Sequence, residues 1–190
     1  MSNIALQKKQ LRLYLNQQRQ QLSQADRQCY STQISQHLLP YLQLKGVQQL
    51  LVYKALPFEV STDDLLYVSG ISCFVPRMLE DVCMQWVKVD KSTVWVKAAF
   101  GILEPEQGEI WQPNPQQTMM LCPLLGFDRS GHRLGMGKGY FDRWLATFGH
   151  AVDEQVGLAF SCQELPNIPI EQHDALLQTI ITEKGIIHVQ

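Results

Sequence analysis

Apolar positions recur at helical spacing over the first part of the chain and then gather into short unbroken runs, a change of period that marks helices giving way to strands. Ile4, Leu11, Leu15 and Leu22 fall on one side of a helix over residues 4–22. Lys8, Arg12 and Arg19 share a narrow sector, taken as the helix's other side, and alone they read as a solvated basic stripe. Ser23 suits the N-cap of a second helix with Asp26 in its first turn and an apolar face of Tyr30, Ile34, Leu38 and Tyr41. Runs at 49–53, 71–75, 83–87 and 94–96 read as strands. A short helix over 62–68, capped by Ser61 or Thr62, separates the first two. A buried strand follows at 119–125. A helix over 139–148 gathers Tyr140, Phe141, Trp144, Leu145 and Phe148 on one side. Further strands are expected at 155–160 and 178–181, with an edge strand at 186–189. Residues 105–115 form a polar, proline-containing loop. Strands alternating with helices predict an α/β fold: one layered domain over residues 1–190, with a mostly parallel or mixed central sheet flanked by helices.

Composition narrows the classes. At 190 residues and 45% hydrophobic content, the chain can bury a substantial core. A net charge of −2 gives no bulk attraction to nucleic acid. The five cysteines form no Cys-x-x-Cys pair, which argues against a zinc cluster or a disulfide framework. Cys73 and Cys122 sit in apolar runs and are expected as buried thiols. The N-terminal stretch is too polar for a signal peptide, and no apolar run nears the ~20 residues of a membrane span. A reduced, soluble, cytoplasmic protein with no membrane or nucleic-acid partner, and a monomer, is expected.

Chemistry concentrates at 123–143, where an apolar run leads into Gly131-His132-Arg133-Leu134-Gly135-Met136-Gly137-Lys138-Gly139-Tyr140-Phe141-Asp142-Arg143. Closely spaced glycines let a backbone turn sharply and approach a ligand, and successive N–H groups in such a turn cradle phosphate. Arg133 and Lys138 add positive charge, and Asp142 is a candidate metal ligand. The P-loop pattern fails because residue 132 is His and residue 139 is Gly; the dinucleotide fingerprint fails because Tyr140 and Asp142 stand where a third glycine is needed. A purely structural strand-to-helix turn remains open on these residues alone.

The whole 131–143 segment resembles the signature of the 5-formyltetrahydrofolate cyclo-ligase family. Lys8-x-x-Leu11-Arg12, Tyr53 with Glu59-Val60-Ser61-Thr62, Val75-Pro76-Arg77, Phe100-Gly101-Ile102-Leu103-Glu104-Pro105 and His173-Asp174 resemble further pieces of the family pattern, in the family's order. Phe141 replaces a usual Tyr, and Ser61 a usual Asp. The resemblance implies an enzyme that uses ATP and Mg²⁺ to cyclise 5-formyltetrahydrofolate to 5,10-methenyltetrahydrofolate, by phosphorylating the formyl oxygen before N10 attacks. It implies Lys138 and Arg133 as catalytic residues. It implies ATP contacts from Lys8, Arg12, Arg133, Leu134, Gly135, Met136, Gly137, Lys138, Gly139, Tyr140 and Phe141. It implies substrate contacts from Glu59, Phe100, Met136, Tyr140 and Lys54, and metal ligation by Asp142 and Asp174. The alternatives are a non-catalytic folate- or nucleotide-binding protein on the same fold, and a nucleic-acid-binding domain using Lys8, Arg12 and Arg19.

Overall fold

Within each short apolar run, successive side chains are buried on opposite sides of one sheet. A computed structural model of the chain describes residues 3–98, 101–171 and 174–189. Leu50 and Val52 join one core while Leu51 joins the other; Met119 and Leu121 part from Met120 and Cys122 in the same way. That two-sided burial is the signature of a sheet covered on both faces.

The strands of this sheet are β1 (Gln49–Leu51), β2 (Ser72–Met78), β3 (Met84–Val89), β6 (Thr118–Pro123), β9 (Glu154–Leu158), β10 (Thr179–Thr182) and β11 (Gly185–His188). Their order is β11-β10-β9-β6-β1-β2-β3. β2, β1, β6, β9 and β10 run parallel, and β3 and β11 close the two edges antiparallel. This is the mixed sheet expected from the sequence. Two small hairpins pair outside it: β4 (Trp95–Lys97) with β5 (Leu103–Pro105), and β7 (Gly126–Phe127) with β8 (Arg133–Leu134). The sequence pattern missed β5, β7 and β8, which carry no alternating run of their own. Cys73 and Cys122 are buried. Among the described residues no helix is long and apolar enough to cross a membrane.

Helix α2 (Gln24–Leu44) covers one face through Ile34, Leu38, Tyr41 and Leu42. Its start is as expected: the Ser23 hydroxyl accepts from the Asp26 N–H at 3.0 Å and donates to the Asp26 carboxylate at 2.6 Å. Helix α3 (Tyr140–Phe148) covers the other face. Trp144 packs edge-on against Trp86 of β3 with centroids 5.8 Å apart and lies beside Trp111 and Phe148 at 5.5 and 5.3 Å, an aromatic group that fixes the helix on the sheet. The short helix expected at 62–68 is a single turn at Asp63–Leu65, and no side chain caps it. Thr62 donates instead to the Tyr53 carbonyl at 2.6 Å.

Helix α1 (Asn3–Gln21) corrects the expectation of a solvent-facing basic stripe. Lys8, Leu15 and Arg19 are all buried, and Arg12 is half-buried, so the cations share the inward side with the apolar residues. The helical period itself sets residues 8, 12 and 19 beside 4, 11, 15 and 22, within about 100° of one another, so the expected separation into two sides fails on the geometry of the helix. Leu15 packs with Leu125, Leu134 and Ile168. It presses so closely on β7 that a Cβ at Gly126 would stand 2.5 Å from Leu15 Cδ1.

Leu15→Ala is therefore expected to cost about 2–5 kcal/mol in urea unfolding. Gly126→Ala is expected to destabilise the wild type, and to cost clearly less in the Leu15→Ala background because the clash is gone. Additive costs would show that the two do not share this contact.

Candidate active site

A cavity of about 310 Å³ opens at the carboxyl ends of the parallel strands. Tyr53 and Lys54 enter it just after β1, Pro76 and Met78 from the end of β2, and Pro123 from the end of β6. The chain adds β2 on one side of β1 and later β6 on the other, so the cavity lies at the point where strand order reverses. Open α/β sheets bind ligands in that crevice. The opposite wall is the glycine loop, residues 135–139, running into the first turn of α3.

Several constraints shape this loop. The β7–β8 hairpin delivers Arg133, which is buried to 4% side-chain exposure and ion-paired with Asp142 of α3. Gly137 and Gly139 have φ of +89° and +76°, a region that disfavours side chains. The Arg12 Nε–H donates to the Gly135 carbonyl at 2.9 Å, and a Cβ at Gly137 would stand 2.9 Å from the Arg12 guanidinium carbon. Arg143 donates to the Lys138 carbonyl at 3.1 Å. Gly139 offers no side-chain cap to the first turn of α3, and Gly139, Tyr140, Phe141 and Asp142 line the cavity, an arrangement suited to an anion.

The facing wall is acidic and aromatic. Glu59 accepts from the Leu56 N–H at 2.8 Å. The Tyr53 hydroxyl donates to the Val60 carbonyl at 3.1 Å, which together with the Thr62 bond holds the 53–62 segment. Burial pushes the Glu59 carboxyl above the ordinary range; the Leu56 N–H and the charge of Arg19 oppose that shift without cancelling it. Lys54 is ion-paired with Asp63, with its ammonium 5.3 Å from the centre of the Trp95 ring. The Cys122 thiol, buried beneath Arg133 and Asp142, is pushed up to about 11, chiefly by burial.

The structure thus brings Lys54, Glu59, Arg133, Gly135, Met136, Gly137, Lys138, Gly139, Tyr140, Phe141 and Asp142 to one cavity. Other candidates stand apart from its lining. The Leu134 side chain is in the core beneath α1. Arg12 braces the loop from behind. Lys8, one turn earlier on the same face, bonds Asp174 at 2.6 Å and Glu171 at 2.9 Å. Phe100 and His173 lie outside the described residues. Among the described residues no group of three or more His, Cys, Asp or Glu side chains is placed to hold a metal ion. Tyr53, Pro76, Met78, Ile102 and Pro123 also line the cavity, though the sequence reading did not single them out as site residues. Except for Ile102, each lies in the carboxyl half of a parallel strand or within two residues of its end, the signal that could have found them.

Fold and crevice define an α/β protein with a glycine loop facing a carboxylate-bearing pocket. The sequence profile of the 5-formyltetrahydrofolate cyclo-ligase family matches residues 4–183, and the chain belongs to that family. It is 28% identical to the 5-formyltetrahydrofolate cyclo-ligase of Mus musculus, over 93% of each chain. It is 31% identical to that of Mycolicibacterium smegmatis, over 69% of this chain and 70% of the relative. The solution structure of Aquifex aeolicus 5,10-methenyltetrahydrofolate synthetase superimposes with a TM-score of 0.81 at 28% identity, covering 96% of this chain and 93% of that one.

Because Glu59 has its carboxyl raised in the folded chain, ionising it opposes folding; that cost is complete above the folded-state value, fades as pH falls through it, and is gone below the unfolded-state value. Glu59→Gln is expected to raise the Tm of the ligand-free protein at pH 8, with the gain vanishing by about pH 4. An equal shift at both pH values would contradict the burial argument.

Proposed function

We propose that this protein converts 5-formyltetrahydrofolate and ATP to 5,10-methenyltetrahydrofolate, ADP and phosphate. The observation that carries the proposal is the single cavity that sets a cationic glycine loop and helix N-terminus against Glu59. A formamide oxygen is a poor leaving group. The formyl oxygen attacks the γ-phosphorus, the bond to ADP breaks, and N10 then adds to the activated carbon. The carbon–oxygen bond breaks as phosphate leaves, and the N10 proton is lost to solvent.

Phosphoryl transfer asks mainly for positioning and charge neutralisation. Backbone N–H groups of Gly135, Met136, Gly137, Lys138 and Gly139, with those of Tyr140 and Phe141, hold phosphate oxygens. Arg133, kept in place by Asp142, and Lys138 offset the charge that develops. Lys8 and Arg12 lie behind the loop; Lys8 reaches ATP by exchanging its bonds to Asp174 and Glu171 for phosphate. Glu59 accepts from the pteridine amide and amino groups, while Tyr140, Met136, Phe100 and the Lys54 stem enclose the ring. Hard carboxylate oxygens at Asp142, which is one-third exposed in the cavity, and at Asp174 fit Mg²⁺, which takes one or two carboxylates together with phosphates. Bound there, the cation would neutralise phosphate charge. We place the enzyme in the cytoplasm as a monomer.

The test is the absorbance of the methenyl product on mixing protein, 5-formyltetrahydrofolate, Mg²⁺ and ATP, with ATP omitted as control. An ATP-dependent rise is expected, with Lys138→Ala lowering kcat by about 100-fold or more. Folded protein that binds both ligands without forming product would point to a binding role instead.

A further inference from the structure

Asp128 directly follows β7, is 2% exposed, and takes no part in the chemistry above. Its Oδ1 accepts the N–H groups of Ser130 at 3.0 Å and His132 at 3.2 Å, bonds that shape the turn of the β7–β8 hairpin. Its Oδ2 lies 2.9 Å from His132 Nδ1 and accepts the Ile168 N–H at 2.9 Å. An ionised carboxylate only accepts, so His132 Nδ1 carries the proton. A turn of this kind needs only the Oδ1 bonds, which an asparagine makes as well; a buried charge is costly and points to a use for the second oxygen. That oxygen reaches a distant stretch of chain. The Leu165 N–H bonds the Phe127 carbonyl at 2.8 Å; beyond it Pro166 and Pro169 have no N–H, and the Ile168 N–H is given to Asp128. Both arms lead to the proposed nucleotide site. His132 precedes Arg133, whose guanidinium is 4% exposed and lines the cavity. Three residues beyond Ile168, Glu171 holds Lys8 at 2.9 Å, and one turn along α1 Arg12 holds the Gly135 carbonyl at 2.9 Å. Asp128 thus closes a ring of contacts from the hairpin through residues 168–171 and α1 to the glycine loop.

We infer that Asp128 is a positioning residue for the nucleotide: through the hairpin turn it sets Arg133, and through Ile168 it sets Lys8, against the glycine loop. The inference rests on the function proposed above. Glu59 stands on the facing wall and is held by its own bonds within the 53–62 segment, so the folate side is independent of this ring. Asp128→Asn separates the two arms. The amide oxygen keeps the Ser130 and His132 N–H groups, while the amide NH2 meets the Ile168 N–H, donor against donor. The turn and Arg133 stay in place, and the ring opens at Ile168.

The test measures kcat, KM for ATP and KM for 5-formyltetrahydrofolate in wild type, Asp128→Asn and Asp128→Ala, with folding checked by circular dichroism. Asp128→Asn is expected to raise KM for ATP about tenfold, with kcat and the folate KM changed less than about twofold. Asp128→Ala, which frees the turn as well, is expected to add a fall in kcat of about tenfold or more as Arg133 loses its place. Folded Asp128→Asn with an unchanged KM for ATP overturns the inference, as does a folate effect as large as the ATP effect, or an unchanged kcat in folded Asp128→Ala. Should the variants not fold, amide exchange in the wild type decides. A non-hydrolysable ATP analogue with Mg²⁺ is expected to slow the Ser130, His132 and Ile168 amides, and unchanged exchange there overturns the inference. Wild-type protein that binds ATP without turnover refutes the cyclo-ligase reading separately, and Kd for ATP from titration calorimetry then replaces KM in the same comparison.

Discussion

The ion pair between Arg133 and Asp142 closes the glycine loop, and the shape of the cavity depends on it. The two residues are nine apart in sequence, one at the end of a two-stranded hairpin and the other in the first turn of α3. Arg133 is almost wholly buried, so its charge needs a partner; breaking a buried pair costs several kcal/mol because the remaining charge is stranded. Between them run eight residues with two positive-φ glycines, a segment that Arg12 and Arg143 hold only through its Gly135 and Lys138 carbonyls. The aromatic group around Trp144 anchors the far side of this closure, since it fixes α3 to β3. Arg12 anchors the near side through the Gly135 carbonyl. The loop is therefore a bridge pinned at both ends that lines the crevice beyond β1 and β6.

The pocket also carries polar groups that the fold itself does not satisfy well. Glu59 is harder to ionise than an exposed carboxyl, and Arg133 Nε has no partner among the described residues. Each opposes stability. Each also suits a ligand that brings negative charge to one wall and N–H donors to the other. Strain of this kind concentrates at sites of function.

Much of this was legible in the sequence. The α2 cap at Ser23, the aromatic face of α3 and the two-sided burial of β1 and β6 each follow from a local pattern. The glycine loop was legible because its residue types are unusual at that density. Three things were not. The β7–β8 hairpin has strands too short to show a period, yet it carries Arg133. The helical period places Lys8, Arg12 and Arg19 beside the apolar stripe of α1, but the partners that let cations turn inward there, such as Asp174 for Lys8, 166 residues away, are encoded by no local pattern. The pairing of Arg133 with Asp142 gives Asp142 a structural role beside the metal role inferred from its family motif.

Amide hydrogen exchange tests the bridge most directly. Exchange of residues 135–142 would be compared with and without a non-hydrolysable ATP analogue and Mg²⁺. The account predicts marked slowing at those amides, as loop and helix N–H groups close on phosphate. Unchanged exchange there, with slowing confined to α1 or to residues 167–170, would place the nucleotide elsewhere and contradict it.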